Sequence, residues 1–343
     1  MSKAKRIFFV TETKDLTDKL LSVGLRRQVK GFIRLGHDTQ IFSYNNAIIQ
    51  TSPFRSRKLI DLFYKLRADE LLVKRITNYR PEIVIVSFAR HLDARTLERL
   101  RQTAPDAALV GVDVDLWPEL HKRRVEAAVK LDIVLTTYAG SGQQAFKNAG
   151  VLCIFMPNMC DPDIGHRYEV CDELKSDILF TGKLKHKHYP TEEWRIELVS
   201  RLSKIKKYSL YGCCGRPFIG GIEYFYAISG AKIGISINAV NDIRLYHSDR
   251  PINCISCGTL ALAKRVPDSD SLFEDGVHLN YFDTTDEFFD LAEWYLKHEQ
   301  ERERIAKAGI ERAHIEFNCE RIVQYLLDLV EKGKHNAPWA EVK

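Results

Sequence analysis

The densest run of chemistry-bearing residues is Tyr246-His247-Ser248-Asp249-Arg250-Pro251-Ile252-Asn253-Cys254-Ile255-Ser256-Cys257-Gly258-Thr259. Ser248 or Asp249 can cap a helix whose first turn suits Pro251 and whose end suits Gly258. The apolar run Thr259–Ala263 that follows reads as a strand. A helix placed this way turns its unpaired first N–H groups outward, where an anion is favoured, and Arg250 adds a fixed fork of donors suited to phosphate oxygens. The same pattern also describes a plain capped helix with a surface Asp249–Arg250 pair. Cys254 and Cys257 form a C-x-x-C, but a zinc site needs a second pair and Cys213-Cys214 has the wrong spacing. The eight cysteines read as small, reduced, buried residues.

These residues need a frame. The chain has 343 residues, 45% of them apolar and 28% charged, which excludes whole-chain disorder, collagen and coiled coil. At about 150 residues per domain the length predicts about two domains. The net charge of +5 is too mild for a nucleic-acid-binding tail and compatible with a phosphate-bearing ligand or an anionic membrane surface. Ile7–Val10 is too short for a signal-peptide core and reads as a first strand in a cytoplasmic protein.

Strand-like runs alternate with helical patterns. In the first half they fall at 7–10, 39–43, 82–88, 108–114, 133–137 and 151–155, with helices at about 21–32, 54–79, 92–102, 121–130 and 141–148. The β-branched run Glu82–Phe88 carries the signature of a strand buried on both faces. Pro157–Lys175 lacks an apolar period and reads as a linker. The alternation then restarts, with strands at 177–181, 208–211, 232–237 and 259–263 and helices at 192–204, 222–229, 251–257, 286–298, 301–317 and 321–331. Repeated βα units predict an α/β protein of two doubly wound, Rossmann-like domains, with ligands at the carboxyl ends of the strands in a cleft between them. The expected division is a first domain at 1–160, a linker at 161–176, a second domain at 177–320, and a closing helix and tail at 321–343 that can pack back on the first domain.

The second half resembles the glycosyl transferases group 1 superfamily, in the branch with spore-maturation-type glycosyltransferases. The matching residues are Ser248-Asp249-Arg250, Cys257-Gly258-Thr259-Leu260, Arg265-Val266-Pro267, Leu272-Phe273-Glu274-Asp275-Gly276 and Glu301–Gly309. Phe180-Thr181-Gly182-Lys183, Leu210-Tyr211-Gly212 and Lys232–Asn238 also look like the family's loops and strands. The resemblance covers about 177–320 well and the first half loosely. It implies the two-Rossmann GT-B fold, a nucleotide-sugar donor held by the second domain, an acceptor held by the first, and no metal or other cofactor.

The resemblance makes Lys183 and Arg250 ligands of the donor diphosphate, with Gly182 allowing close backbone approach, Lys185 a weaker candidate and Gly220-Gly221 either a phosphate-facing or an ordinary turn. Ser248, Asp249, Gly258 and Thr259 belong to the same donor segment. Tyr211 can pack near the base or simply in the core. Asn253 stands where the family commonly has a glutamate on the donor ribose, and the second acid of that pair falls near Leu245. Asn253 can hydrogen-bond a hydroxyl but not with a charge-assisted bond, which leaves retention or inversion open.

On the acceptor side, Asp113 and Asp115 end the strand at 108–114 and by period two point the same way, Asp115 nearest its carboxyl end. Asp115 can be the general base for an acceptor hydroxyl or a helix cap before Pro118. Arg90-His91 reaches the same rim, and His91 is the alternative base; Thr11 and Glu12 can line the cleft too. The basic stretch Arg55, Arg57, Lys58, Lys65 and Arg67, interleaved with apolar residues, can lie on anionic lipid or pack as a solvated helix; His121-Lys122-Arg123-Arg124 is similarly ambiguous.

Together these predict a cytoplasmic, hexosyltransferase-type enzyme, able to work at the inner membrane face, that moves a sugar from a nucleotide-diphosphate sugar to a saccharide or glycolipid hydroxyl. Its partners are the nucleotide sugar and the acceptor, with no nucleic acid. The rival readings are a nucleotide-sugar epimerase of the same fold and a non-catalytic nucleotide-sugar-binding subunit. A nicotinamide- or flavin-binding protein fits less well, since no G-x-G-x-x-G follows a first strand.

Overall fold

The computed structural model describes residues 3–12, 23–52, 64–88, 92–116, 122–184, 193–202 and 207–340. The first half builds a six-stranded sheet from β1 (Arg6–Thr11), β2 (Asp38–Ser43), β3 (Ile83–Ser87), β4 (Ala108–Asp113), β5 (Ile133–Thr136) and β6 (Cys153–Phe155), in the order β2-β1-β3-β4-β5-β6. Every pairing is parallel, so each connection must cross a face of the sheet, and helices fill both faces. They are α1 (Val23–Arg34), α2 (Tyr44–Thr51), α3 (Lys65–Tyr79), α4 (Ala94–Thr103), α5 (Lys122–Ala128) and α6 (Gln144–Asn148). The period-3.6 and β-branched patterns located these elements, except α2. It follows β2 directly, held by the Ser43 hydroxyl, which accepts from the Asn46 N–H at 3.2 Å.

The second half repeats the plan with β7 (Ser176–Thr181), α7 (Glu193–Leu202), β8 (Tyr208–Tyr211), α8 (Ile222–Ser229), β9 (Ala231–Ser236), α9 (Arg250–Ser256), β10 (Leu260–Lys264) and β11 (Asn280–Phe282). The five strands are all parallel, in the order β11-β10-β9-β7-β8. The edge strand β11 was not expected from the sequence. Three helices close the chain: α10 (Thr285–Lys297), α11 (Glu299–Glu316) and α12 (Cys319–Lys332).

Helix α12 returns to the first half and packs on α1. The two axes come so close that a Cβ on Gly31 would stand 2.6 Å from the Cys319 carbonyl oxygen. The Tyr325 hydroxyl donates to the Phe155 carbonyl at 2.9 Å, and Lys5 pairs with Glu331 at 2.9 Å. One apolar core therefore runs from the α1 face of the first sheet, through Met156, Met159 and Cys160, into the α8 and α9 face of the second. Separate cores fill the other face of each sheet.

Candidate functional site

In the second sheet, β7 lies between β8 and β9, so the chain leaves its two sides in opposite directions. A crevice opens at such a switch point, at the carboxyl ends of β7 and β9. Arg250, the first residue of α9, lies over it. Its Nη1 donates to the Ile237 carbonyl at 2.8 Å and to the Ser248 hydroxyl at 3.1 Å, and its guanidinium carbon is 6.0 Å from the centre of the Phe180 ring. Gly182 follows β7 with φ of +139°, and a Cβ there would meet Arg250 Nη2 at 2.9 Å. The glycine thus makes room for the arginine. Gly182→Ala should push the guanidinium off the crevice and cost about 1–3 kcal/mol of backbone strain. Urea unfolding would show the loss as a lower midpoint. An unchanged midpoint would mean that the loop reshapes freely.

Two side chains that sequence reasoning missed shape this rim. Asn238 Oδ1 accepts from the Ser248 N–H at 2.9 Å, and its Nδ2 donates to the Tyr246 carbonyl at 3.0 Å. Arg195, buried on α7, donates to the Asn238 carbonyl at 2.6 Å and to the Lys183 carbonyl at 2.7 Å, tying the β7 and β9 loops together. Asn238 had a signal, as the polar stop of the Lys232–Ile237 run. Arg195 had none, because helical periodicity cannot mark an inward arginine. Lys183 is exposed, its ammonium 5.7 Å from the centre of the Phe218 ring. Tyr211 ends β8, half-buried, and its carbonyl accepts the Gly182 N–H at 2.9 Å. The structure therefore gathers Gly182, Lys183, Tyr211, Ser248 and Arg250 on one rim.

Other expected residues do not stand on the exposed rim: some lie beneath it and some away from it. Asp249 holds the N-cap position of α9, but its side chain makes no capping bond. Its backbone is helical (φ −72°, ψ −4°), whereas a capping side chain needs an extended one. The Ser248 hydroxyl bonds Arg250 instead. Gly258 and Thr259 lie beyond the far end of α9 and before β10, at the amino edge of the sheet. There Thr259 Oγ1 donates to the Ile228 carbonyl at 2.7 Å, and Gly258 packs against Ile310 and Arg167. These two residues terminate and seat the helix rather than reach the rim. Asn253 is 1% exposed, and its Oδ1 accepts from Arg27 Nη2 of α1 at 2.6 Å. Leu245 is buried, walling a small cavity with Thr137, Phe155 and Asn158 of the first half, so a side chain there does not face the rim. Tyr224 on α8, not expected from the sequence, places its hydroxyl beside Thr181 and Asn253, where burial raises its pKa.

In the first half, β4 ends at Asp113, two residues earlier than shared orientation with Asp115 requires. Asp113 is buried and Asp115 is exposed, so the two do not share a face. Both Asp113 oxygens accept from Arg124 Nη1 at 3.0 Å, and Oδ2 accepts from the Tyr138 hydroxyl at 3.1 Å. The same Nη1 donates to the Asp115 carbonyl at 3.2 Å. Burial pushes the Asp113 carboxyl up to about 6, against the pull of Arg124. A folded pKa above the unfolded value, about 3.9, means the folded state binds the proton more tightly. Stability should therefore fall as pH rises from about 4 to about 6. Relative to Asp113→Asn, the wild type should lose about 2–3 kcal/mol between pH 4 and pH 7. Denaturant titrations of both proteins at the two pH values would check it, and a pH-independent difference would refute it.

The halves meet across this region. The Ala139 N–H donates to the Arg244 carbonyl at 2.9 Å, and Asn158 Nδ2 to the His247 carbonyl at 2.8 Å. The Tyr138 and Tyr246 rings stand edge to face, 6.4 Å apart. Burial raises the Tyr246 hydroxyl, the Asp115 charge raises it further, and Arg250 and Arg195 oppose. Charges from both halves, Asp115 from one and Arg250 and Arg195 from the other, thus act on the Tyr246 hydroxyl. His247 is buried and pushed down to about 4, so it is neutral at ordinary pH.

A second opening, of about 610 Å³, separates α1 from α8 and is lined by Arg26, Val29, Lys30, Ile33, Gly221 and Phe225. His91, Arg90, Lys185, Arg55, Arg57 and Lys58 lie outside the described residues. Lys65, at the described end of the basic stretch, pairs with Asp69 at 2.9 Å and Asp93 at 3.2 Å. Among the described residues, no three His, Cys, Asp or Glu side chains group as a metal site, and no helix is long and apolar enough to cross a membrane. The eight cysteines are free; six are buried, but Cys171 and Cys214 are exposed, against expectation, and burial raises the Cys254 and Cys257 thiols.

Residues 179–328 match a family model described as glycosyl transferase-like. No curated protein matches the chain in sequence. Solved structures match it along its length. A glycosyltransferase from Rickettsia africae has a TM-score of 0.62 at 12% identity, covering 96% of this chain and 99% of its own. Sucrose-phosphate synthase from Thermosynechococcus elongatus has a TM-score of 0.64 at 11% identity, covering 96% and 98%. HepE from Anabaena, solved in complex with UDP-glucose, has a TM-score of 0.60 at 12% identity, covering 96% and 100%. Residues 179–328 are thus similar to the glycosyl transferase-like family, and the two sheets have the GT-B architecture.

Proposed function

We propose that this protein is a glycosyltransferase that moves a sugar from a nucleotide-diphosphate sugar to a hydroxyl of a saccharide or glycolipid acceptor, without a metal ion. The observation that carries the reading is the rim at the carboxyl ends of β7 and β9, where Lys183 is exposed and Arg250 is held by the Ile237 carbonyl and the Ser248 hydroxyl. Transfer breaks the bond between the anomeric carbon and the phosphate oxygen, and the diphosphate leaves with negative charge. In this reading Arg250 and Lys183 receive that charge. In this reading Asp115, an exposed carboxylate just past β4, accepts the proton of the acceptor hydroxyl as that oxygen bonds the sugar. HepE, of the same fold, was solved with UDP-glucose, which favours a uridine nucleotide as the first donor to try.

The test is a thermal-shift screen of the protein against UDP, GDP, CDP, TDP, ADP and NAD. A ligand that binds only the folded state at 100 times its Kd adds about 2.7 kcal/mol of stability. A selective rise with one diphosphate is expected. Silence from all diphosphates, or a rise with NAD alone, would overturn the reading. With the matching nucleotide sugar, transfer to an added acceptor is the expected product; conversion of the donor sugar without transfer would point to an epimerase.

A further inference from the structure

Arg27 stands on α1 of the first half but reaches into the second, and it is 3% exposed. Its Nη1 donates to the Met159 carbonyl at 2.8 Å and its Nη2 to Asn253 Oδ1 at 2.6 Å, with the Phe225 ring centre 5.8 Å from the guanidinium carbon. Among the described residues no carboxylate lies within ion-pair distance of it. A buried cation held only by neutral acceptors is costly, so its neighbours must hold it in one geometry.

That geometry has a consequence for Asn253. A free amide can turn either end toward a ligand. Here Arg27, which can only donate, commits Oδ1, and so Nδ2 must face the other way. It lies beside the Tyr224 hydroxyl, next to Thr181 at the end of β7, without a hydrogen bond of normal length. The geometry points to Arg27 as a positioning residue that acts through Asn253. It fixes the amide so that the second half presents an N–H donor to an acceptor oxygen of the bound nucleotide. The inference rests on the donor-site reading proposed above.

A double-mutant cycle on nucleotide affinity tests it, with UDP as the probe or, if the screen selects another of the named diphosphates, that one. Arg27→Ala and Asn253→Ala should each weaken binding about tenfold, as for the loss of one hydrogen bond to a charged ligand. The double variant should also be about tenfold weaker, because the two losses are one loss. A multiplied loss of about a hundredfold, or an Arg27→Ala protein that binds like wild type, would overturn the inference. If Arg27→Ala does not fold, Arg27→Lys replaces it. Lysine keeps one charged donor but not the fork, and it should weaken binding when Asn253 is present and have no effect when Asn253 is alanine. An equal effect in both backgrounds would again overturn the inference. A wild-type protein that binds none of the diphosphates would instead refute the donor site itself, and with it this role.

Discussion

Arg250→Ala should weaken nucleoside-diphosphate binding by about 10–150-fold, the range expected when a hydrogen bond to a charged group is removed. The side chain is already oriented before ligand arrives. One nitrogen is engaged by Ile237 and Ser248, and the guanidinium rests against Gly182 and Phe180. Little rotamer freedom then remains to be lost on binding, which makes each bond to phosphate count for more. Because the arginine also ties the β9 loop to α9, its loss could act through the loop. Ser248→Ala separates the effects. It removes the tie at 3.1 Å but leaves the guanidinium and its bond to Ile237, so it should cost severalfold at most. Isothermal titration with the diphosphate selected by the screen would measure both. Affinity unchanged in Arg250→Ala would remove Arg250 from the site. Equal losses in the two variants would assign its role to the loop.

How far such a site can be read in advance depends on the kind of residue. Strands β1, β3, β7 and β9 were legible because a parallel strand buried on both faces needs an unbroken apolar run, and little else in a soluble chain does. The rim cations were legible too: Lys183 follows a strand and a glycine, and Arg250 opens a helix. Strand β11 was not, because Asn280-Tyr281-Phe282 carries only two apolar residues between polar neighbours, whereas the equally short edge strand β6 sits in the apolar run Val151–Met156. Helix α2 was hidden because Asn45 and Asn46 are poor helix formers, and the Ser43 cap compensates only once β2 has placed it. Asp249 misled because a capping residue type says nothing of the φ and ψ it will take. Gly258 and Thr259 misled because neighbours in sequence on a two-turn helix end at opposite edges of a sheet. Arg27 and Asn253 are 226 positions apart and meet only because α1 and α9 come from different halves. No local pattern carries such a pairing.

The acceptor side yields the prediction with the largest effect on turnover. Asp115→Asn should spare diphosphate binding and lower the transfer rate by about 10²–10⁴, the usual contribution of a positioned general base. The substitution keeps size and hydrogen-bonding capacity and removes only the ability to take a proton. Asp115 fits the role better than Asp113 for a physical reason. Asp113 is buried, and both of its oxygens are occupied by Arg124, one of them also by Tyr138. It has no free face for a substrate. Asp115 is exposed, and its backbone is held at 3.2 Å by the same arginine that pairs with the buried Asp113, so on the proposed reading Arg124 would position the base. Arg124→Ala should therefore lower kcat more than it alters donor KM, since it removes the Nη1 that bonds both Asp113 and the Asp115 carbonyl. Steady-state rates with varied donor would separate the two parameters. Unchanged turnover in Asp115→Asn would exclude it as the base and leave His91 as the residue to test next.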